Sequence, residues 1–180
     1  DILKSIIKRK IKCNDTIELL NEIIDSAEGV PIGNYLSQYF ANLYLTRFDH
    51  WIKEELKIKY YFRYADDMVF LHKDKEYLHG LLVQVNNYLI DELNLQLKSN
   101  FQIFPVKDRG IDFVGYVFRH SHVLIRKRIK KNFAKKVSRL SKLNISNKDF
   151  GKHIASWIGW CKYSNSINLL NKINYEKSII

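Results

Sequence analysis

The stretch that decides the fold is Tyr60–Leu71, which reads YYFRYADDMVFL. Two runs rich in aromatic and apolar residues flank an acidic pair, Asp66 and Asp67. Such runs favour strands, so the pattern predicts a β-hairpin with Ala65-Asp66-Asp67 at its tip. Neighbouring side chains of a regular strand point to opposite faces, whereas at a turn both carboxylates can point into one space.

The acidic pair is the first candidate site. Adjacent carboxylates repel each other while ionised, and a divalent cation is the usual way to hold them together. Mg²⁺ takes oxygen ligands and keeps positions open for substrate phosphates, so the tip is suited to form half of a phosphoryl-transfer site. A solvated turn that happens to carry two acids is the alternative that the pair alone leaves open.

Composition bounds the class of protein. A chain of 180 residues with 46% hydrophobic content can bury a core in one domain, or in one domain with a small appendage. No apolar run approaches the length of a membrane span, which predicts a protein without a membrane partner. Cys13 and Cys161 lack metal-ligand spacing and are predicted to be buried, reduced thiols. Asp1 stands where Met is expected, which predicts an excised piece of a longer protein.

The net charge of +11 is unevenly distributed. Residues 1–118 carry 15 Lys and Arg against 17 Asp and Glu, a net charge of −2. Residues 119–180 carry 15 Lys and Arg against 2 Asp and Glu, a net charge of +13. A strongly basic C-terminal third predicts binding to a polyanion, and a merely soluble basic surface is the alternative.

Apolar spacing predicts helices in the first third of the chain. One helix is expected to end near Ile11, and a second to start at Asp15, which has capping-box spacing to Glu18. The breaker cluster Gly29–Asn34 should separate it from a long helix that starts near Tyr35.

Beyond the acidic hairpin, Asp74 is predicted to cap another helix. Residues 95–98 and 101–104 alternate like short strands, and residues 111–118 with 122–125 predict a second hairpin. The order of elements predicts an α+β fold with helices packed on one face of an antiparallel sheet.

The basic C-terminal region has the pattern of a small bundle of three amphipathic helices. The first should start at Arg126, with an apolar stripe that extends to Leu143, and the others span about 149–163 and begin near Ser166. The polar faces would be free to follow a phosphate backbone. A basic helix lying on a membrane surface ranks lower, because the bundle core needs the apolar stripe.

Four motifs in this order together resemble a reverse transcriptase. Tyr64-Ala65-Asp66-Asp67 matches the family's Tyr-x-Asp-Asp box, and Gly29–Gln38 resembles the loop and helix that precede it. Gly110–Tyr116 is similar to the primer-grip hairpin. Ser156–Tyr163 resembles the thumb of the bacterial lineage of group II intron, retron and diversity-generating retroelement enzymes.

The resemblance implies a fold and an origin. Residues 1–118 would be a partial polymerase palm without its upstream catalytic strand and fingers, and residues 119–180 would hold the end of the primer-grip hairpin and a helical thumb. Intron and retron enzymes read Pro-Gln-Gly and end in Ser-Pro, whereas this chain has Ile32 and ends in Ser37-Gln38. That difference places the resemblance closest to diversity-generating retroelements, and thus to a cytoplasmic, bacterial or phage-encoded enzyme.

The resemblance also implies an activity and its residues. The enzyme would be an RNA-directed DNA polymerase that binds an RNA template, a DNA or RNA primer and dNTP, with Mg²⁺ or Mn²⁺ held by Asp66 and Asp67. The residues implied to contact nucleotide and template are Pro31, Ile32, Gly33, Asn34, Ser37 and Gln38. Those of the primer grip are Phe113, Gly115 and Tyr116. Those implied to contact phosphates are Lys130, Lys131, Lys135, Lys136 and Arg139.

Two departures from the family pattern limit what this chain can do. No residue matches the first catalytic aspartate, so the chain is predicted to be inactive by itself. Asn100 stands near the family's proposed general acid, with Lys98 two residues earlier, and neither is assigned that role. A non-catalytic nucleic-acid-binding module and a module that binds a basic accessory protein therefore stay open as alternatives.

Overall fold

The structure is a computed structural model that describes residues 2–26, 29, 35–143 and 145–172. The chain divides into two compact units, Asp1–Ile103 and Phe104–Ile180. The sequence predicted a different division, between a palm at residues 1–118 and a thumb region at residues 119–180. That division is by function and stays a prediction. By contacts, the hairpin that was predicted to be the primer grip belongs with the C-terminal helices.

The first unit is mainly helical. Its helices are α1 (Ile2–Lys10), α2 (Asn14–Asp25), α3 (Tyr35–His50) and α4 (Lys75–Leu93). A π-helical turn, Trp51–Glu55, extends α3. A single antiparallel hairpin of β1 (Tyr61–Tyr64) and β2 (Asp67–Phe70) lies between the π-helical turn and α4.

The largest core of the first unit joins α3, the hairpin and α4. Phe48 and Ile52 are fully buried at its centre, and Phe48 meets Tyr61 edge to face with ring centroids 6.2 Å apart. The remaining buried members are Leu45, Ile58, Tyr61, Leu81, Val85, Leu89 and Leu93. A separate cluster around Phe40 packs α1 and α2 against the first half of α3. The two clusters together hold α3 in place, and the hairpin packs against α3.

Helix starts were predicted with mixed success. The Asp74 carboxylate accepts a hydrogen bond of 2.9 Å from the Glu76 amide, which confirms it as the N-cap of α4. The prediction that Asp15 caps α2 is wrong, because that helix starts one residue earlier, at Asn14, and Cys13 is the N-cap. Cys13 is also exposed rather than buried, while Cys161 is buried as predicted.

The predicted strands at 95–98 and 101–104 are wrong. Residues 94–105, all of which the structure describes, contain neither helix nor strand. Asn94 ends α4 in a left-handed conformation, with φ of 49°, and turns the chain away. Alternating residues become a strand only where a partner supplies backbone hydrogen bonds, and no described strand pairs with this segment.

The second unit packs a small sheet against helices. The sheet has the order β3 (Ile111–Phe113), β4 (Tyr116–Phe118) and β5 (Val123–Ile125), all antiparallel, after a short helix α5 (Val106–Arg109). The helices are α6 (Lys127–Leu140), α7 (Asn147–Lys162) and α8 (Ile167–Lys172). The buried core residues are Ile125, Phe133, Val137, Leu140, Ile154 and Cys161.

The prediction that Leu143 continues the apolar stripe of α6 is wrong. The helix ends at Leu140, and Leu143 lies three residues beyond it with an exposed side chain. The predicted α+β class is confirmed. In the part of the chain that the structure describes, none of the helices is long and apolar enough to cross a membrane.

Candidate active site

The acidic pair lies at the turn of the β1–β2 hairpin. Tyr64 pairs with Asp67, so the connecting turn consists of Ala65 and Asp66, and Asp67 is the first residue of β2 rather than part of the tip. Ala65 has φ of +52°, a left-handed conformation at the first turn residue, as hairpin turns of the primed types require. Asp66 and Asp67 are both exposed, so their carboxylates are accessible from solvent.

A lysine lies against the acidic pair. The Lys98 ammonium donates a hydrogen bond of 2.8 Å to Asp66 Oδ2. That bond and the backbone hydrogen bond of Asp66 lower the pKa of its carboxyl, while partial burial opposes the shift. Because both side chains are about three-quarters exposed, the attraction is screened by water and contributes little to stability. Sequence reasoning gave Lys98 no role, since nothing in the local pattern brings residue 98 to the hairpin turn.

An arginine network connects the same turn to α3. Arg63 Nε and Nη2 form a bidentate pair with the Asp49 carboxylate, and Nη1 donates to Asn42 Oδ1 at 3.0 Å. The same Nη1 donates to the carbonyl oxygen of Ala65 at 2.9 Å. The hydrogen bonds to Asp49 raise the pKa of Arg63, so the guanidinium stays charged although it is largely buried.

Tyr61 completes the network. Its hydroxyl donates to Asp49 Oδ1 at 2.7 Å, and burial first, then the contact with Asp49, raises the pKa of the phenol. These residues line a shallow open pocket together with Lys53. Sequence reasoning missed Asp49 and Arg63 as partners. The available signal was an arginine within an otherwise apolar strand, because a charged residue in such a place needs a partner.

The residues implied to contact nucleotide and template are only partly described. Pro31, Ile32, Gly33 and Asn34 lie outside the described residues. Ser37 and Gln38 occupy the first turn of α3, where Ser37 is half-buried and Gln38 is exposed. Their role toward a nucleotide stays a prediction.

The predicted primer-grip residues share one hairpin of the second unit. Val114 and Gly115 form the turn between β3 and β4, with φ of 47° and 83°. A Cβ on Gly115 would lie 2.5 Å from Trp160 Cζ3, so only glycine admits the indole at this distance. Tyr116 Oη donates to the Trp160 carbonyl at 3.1 Å. The side of this hairpin that faces α7 is therefore structural.

The predicted phosphate-contacting residues lie on α6. Lys130, Lys131, Lys135 and Arg139 are exposed, Lys136 is half-buried, and Phe133 and Val137 face the core. The ring of Phe133 stacks on Trp157 of α7 with centroids 5.8 Å apart. One face of α6 is thus committed to packing, and the other presents positive charge to solvent.

The donor chemistry of the acidic turn fits a hard divalent cation. Carboxylate oxygens are the ligands that Mg²⁺ and Mn²⁺ prefer, and Asp66 and Asp67 supply them from adjacent residues. Asp66 and Asp67 alone are fewer ligands than a metal site built entirely from protein side chains needs. Within residues 2–26, 29, 35–143 and 145–172, no group of three His, Cys, Asp or Glu side chains could hold a metal ion. The described residues therefore show an acidic pair and not a complete metal site.

Comparison with known families gives one match. The family model described as reverse transcriptase (RNA-dependent DNA polymerase) matches residues 2–118. The chain belongs to the reverse transcriptase family. No curated protein matches the chain.

The extent of the match shows which features the family covers. It spans α1 to β4 and includes the acidic turn, the Arg63 network and Lys98. Membership in a family of RNA-dependent DNA polymerases implies binding of a template and primer, and its members generally depend on divalent metal. Residues 119–180 lie beyond the match, so a thumb role for α6 to α8 rests on sequence pattern and charge.

Proposed function

We propose that the chain is the palm and thumb portion of an RNA-directed DNA polymerase. The enzyme transfers a nucleotide from dNTP to a primer 3′-hydroxyl on an RNA template. The observation that carries this proposal is that the family match at 2–118 encloses a Tyr-Ala-Asp-Asp hairpin whose turn presents two exposed carboxylates.

In the proposed mechanism, Asp66 and Asp67 hold Mg²⁺ or Mn²⁺. Divalent cations held there would supply Lewis-acid chemistry, lowering the pKa of a primer 3′-hydroxyl and neutralising charge on the triphosphate. The chain's own contribution is to place two exposed carboxylates next to each other at the β1–β2 turn. Lys98 lowers the pKa of Asp66, and its ammonium would have to leave the Asp66 carboxylate when a cation binds there.

A further carboxylate from outside the described residues completes the proposed site. The family motif calls for this carboxylate, because no residue of the chain matches the first catalytic aspartate. The chain by itself is therefore proposed to be inactive. In the wider proposal, Pro31–Asn34 with Ser37 and Gln38 shape the nucleotide and template pocket.

The remaining contacts serve the template and primer. We infer that Phe113, Gly115 and Tyr116 support the primer end, with Trp160 holding their turn. The lysines of α6 contact phosphates without reading sequence, as flexible cations on an exposed helix face do. The net charge of +13 over residues 119–180 supports this role.

The lineage is proposed from one loop. Ile32 and Ser37-Gln38 favour a diversity-generating retroelement enzyme over an intron or retron enzyme. The wider family carries Gln where this chain has Ile32, and an aliphatic side chain cannot form the same hydrogen bonds to a nucleotide. Loss of such a polar contact relaxes discrimination between bases. Ile32→Gln in an active form should therefore lower the misincorporation rate, and an unchanged rate would remove this part of the proposal.

A second candidate is a non-catalytic module that binds nucleic acid. The ion pair of Asp66 with Lys98 favours it, because a self-neutralised turn without a third acid needs no metal. A variant of this candidate binds a basic accessory protein through the acidic surplus of residues 1–118. Both candidates predict that the chain binds its partner and does not synthesise DNA.

Primer extension separates the candidates. The chain is compared with a form extended at its N-terminus by a segment that carries the family's first catalytic aspartate. Synthesis of DNA by the longer form alone supports the polymerase proposal. If neither form extends a primer while both bind template-primer with steep salt dependence, the binding module is favoured.

A further inference from the structure

The turn that carries the acidic pair is strained. Ala65 adopts φ of +52°, which an L-residue other than glycine adopts at a cost because Cβ approaches the backbone. Asp66 follows directly, so a change at Ala65 moves both carboxylates. The Ala65 carbonyl is held by the Arg63 guanidinium, 2.9 Å away. The conformation before the acidic pair is thus fixed by a side-chain contact.

Arg63 is itself anchored to α3. Its Nε donates to Asp49 Oδ1 at 2.8 Å and its Nη1 to Asn42 Oδ1 at 3.0 Å, two helical turns apart. The Arg63 side chain is 11% exposed, and Phe48 beside Asp49 is fully buried in the core. A close-packed core resists displacement, so α3 supplies a rigid reference for the turn.

We propose that Arg63 is a positioning residue for the Asp66–Asp67 turn, setting its affinity for a divalent cation. The planar guanidinium joins Asp49, Asn42 and the Ala65 carbonyl at once. A lysine ammonium is a single point charge on a flexible stem and cannot span these three acceptors. Asp49 and Asn42 act through Arg63 and not on the metal. The inference rests on the proposed function, in which the acidic pair binds Mg²⁺ or Mn²⁺.

The expected effect is a weaker metal site in a folded protein. Arg63→Lys keeps a positive charge beside Asp49 but loses the hydrogen bond to the Ala65 carbonyl. Affinity for Mn²⁺ should therefore fall about tenfold, as it does when a residue that orients a metal ligand without touching the metal is replaced. In an Asp66→Asn background the same substitution should have little further effect, because the ligand that it positions is already lost.

The test uses Mn²⁺ and NMR. Paramagnetic broadening of the amide signals of residues 65–68 is titrated in the isotope-labelled chain, with the Arg63→Lys variant beside Ile52→Val. Ile52 is fully buried in the same core, and its variant controls for a general loss of stability, which thermal denaturation measures in parallel. Primer extension by the upstream-extended form then separates kcat from the KM for template-primer, and a positioning defect should lower kcat alone.

The outcomes separate the inference from the function on which it rests. The inference holds if Arg63→Lys weakens Mn²⁺ binding more than Ile52→Val does at an equal loss of melting temperature. It is overturned if Asp66-dependent Mn²⁺ binding is the same in wild type and Arg63→Lys, while the proposed function survives. If wild type shows no broadening that depends on Asp66, the kcat of Arg63→Lys in the upstream-extended form decides the inference, and both are overturned if that form synthesises no DNA.

Discussion

Lys98 Nζ lies 2.8 Å from Asp66 Oδ2, so the chain itself places a cation against the acidic pair. The pair connects a segment without regular secondary structure to the β1–β2 hairpin. The ammonium uses a lone pair of this carboxylate and repels a divalent cation that approaches it. Lys98 therefore competes with metal in the proposed site.

Removing this competitor should strengthen metal binding. The pair is exposed and therefore weak, so Lys98→Ala should raise the affinity for Mn²⁺ by at most about fivefold. Paramagnetic broadening of the amide signals of residues 65–68 measures this affinity. Lys75→Ala, which removes the same charge from the first turn of α4, is the matched control. A fall in affinity in Lys98→Ala would show that the lysine supports the site instead.

The close approach of Trp160 to the β3–β4 turn predicts a large effect of one methyl group. Gly115→Ala places Cβ 2.5 Å from Trp160 Cζ3 at φ of +83°, and should destabilise the second unit by about 2–4 kcal/mol. Gly159→Ala in α7 has open space around its Cβ and should stabilise by up to about 1 kcal/mol.

Urea denaturation followed by tryptophan fluorescence compares these two glycine variants. Equal stability of Gly115→Ala and wild type would contradict the packing described for the turn. A loss in Gly159→Ala as large as that in Gly115→Ala would contradict it as well.

The buried phenol of Tyr61 predicts a dependence on alkaline pH. Burial raises its pKa above the usual value of about 10, so above that pH only the unfolded state ionises this group. Its contribution to stability is therefore complete below about pH 10 and is lost as the pH rises further. Tyr61→Phe should lower stability at pH 7 by about 1 kcal/mol, through loss of the Asp49 hydrogen bond, and should decline less between about pH 9.5 and 11.

Chemical denaturation across this pH range measures the alkaline effect. Tyr39→Phe replaces an exposed tyrosine of α3 and serves as the control, with a pH profile like that of wild type. The assignment fails if Tyr61→Phe and wild type lose stability in parallel above pH 10.

The exposed lysines of α6 predict a change in salt dependence. Each lysine that contacts a phosphate adds about 0.9 to the slope of log affinity against log salt for duplex DNA. Lys131→Gln with Lys135→Gln should therefore reduce the slope by about 1.8. Lys8→Gln with Lys10→Gln neutralises two exposed lysines of α1 and should leave the slope unchanged. Equal slopes for the two double variants would show that these lysines of α6 do not contact phosphates.

The sequence predicts most of what is local in the first unit. The hairpin at Tyr60–Leu71 follows from strand-forming residues around a turn, and the start of α4 follows from Asp74, whose partner is two residues away. Such features depend on neighbours along the chain, which the sequence displays directly. The same reasoning misplaced the start of α2 by one residue.

What the sequence did not predict depends on distant partners. Arg63 meets Asp49 and Asn42 across 14 and 21 residues, and Lys98 meets Asp66 across 32. The strand prediction at 95–104 failed for the same reason, since alternation does not specify a pairing partner. The family motif located the acidic pair, whereas the contacts that hold its turn came from the structure.

The most direct test of the central claim is RNA-templated primer extension by the upstream-extended form, comparing Asp66→Asn with Asp91→Asn. Asp91 is an exposed aspartate on α4, and Asp91→Asn removes the same charge as Asp66→Asn. We expect wild type and Asp91→Asn to synthesise DNA, and Asp66→Asn to lose at least about a hundredfold in kcat while retaining affinity for template-primer. Equal synthesis by the two variants would contradict the assignment of Asp66 to the active site.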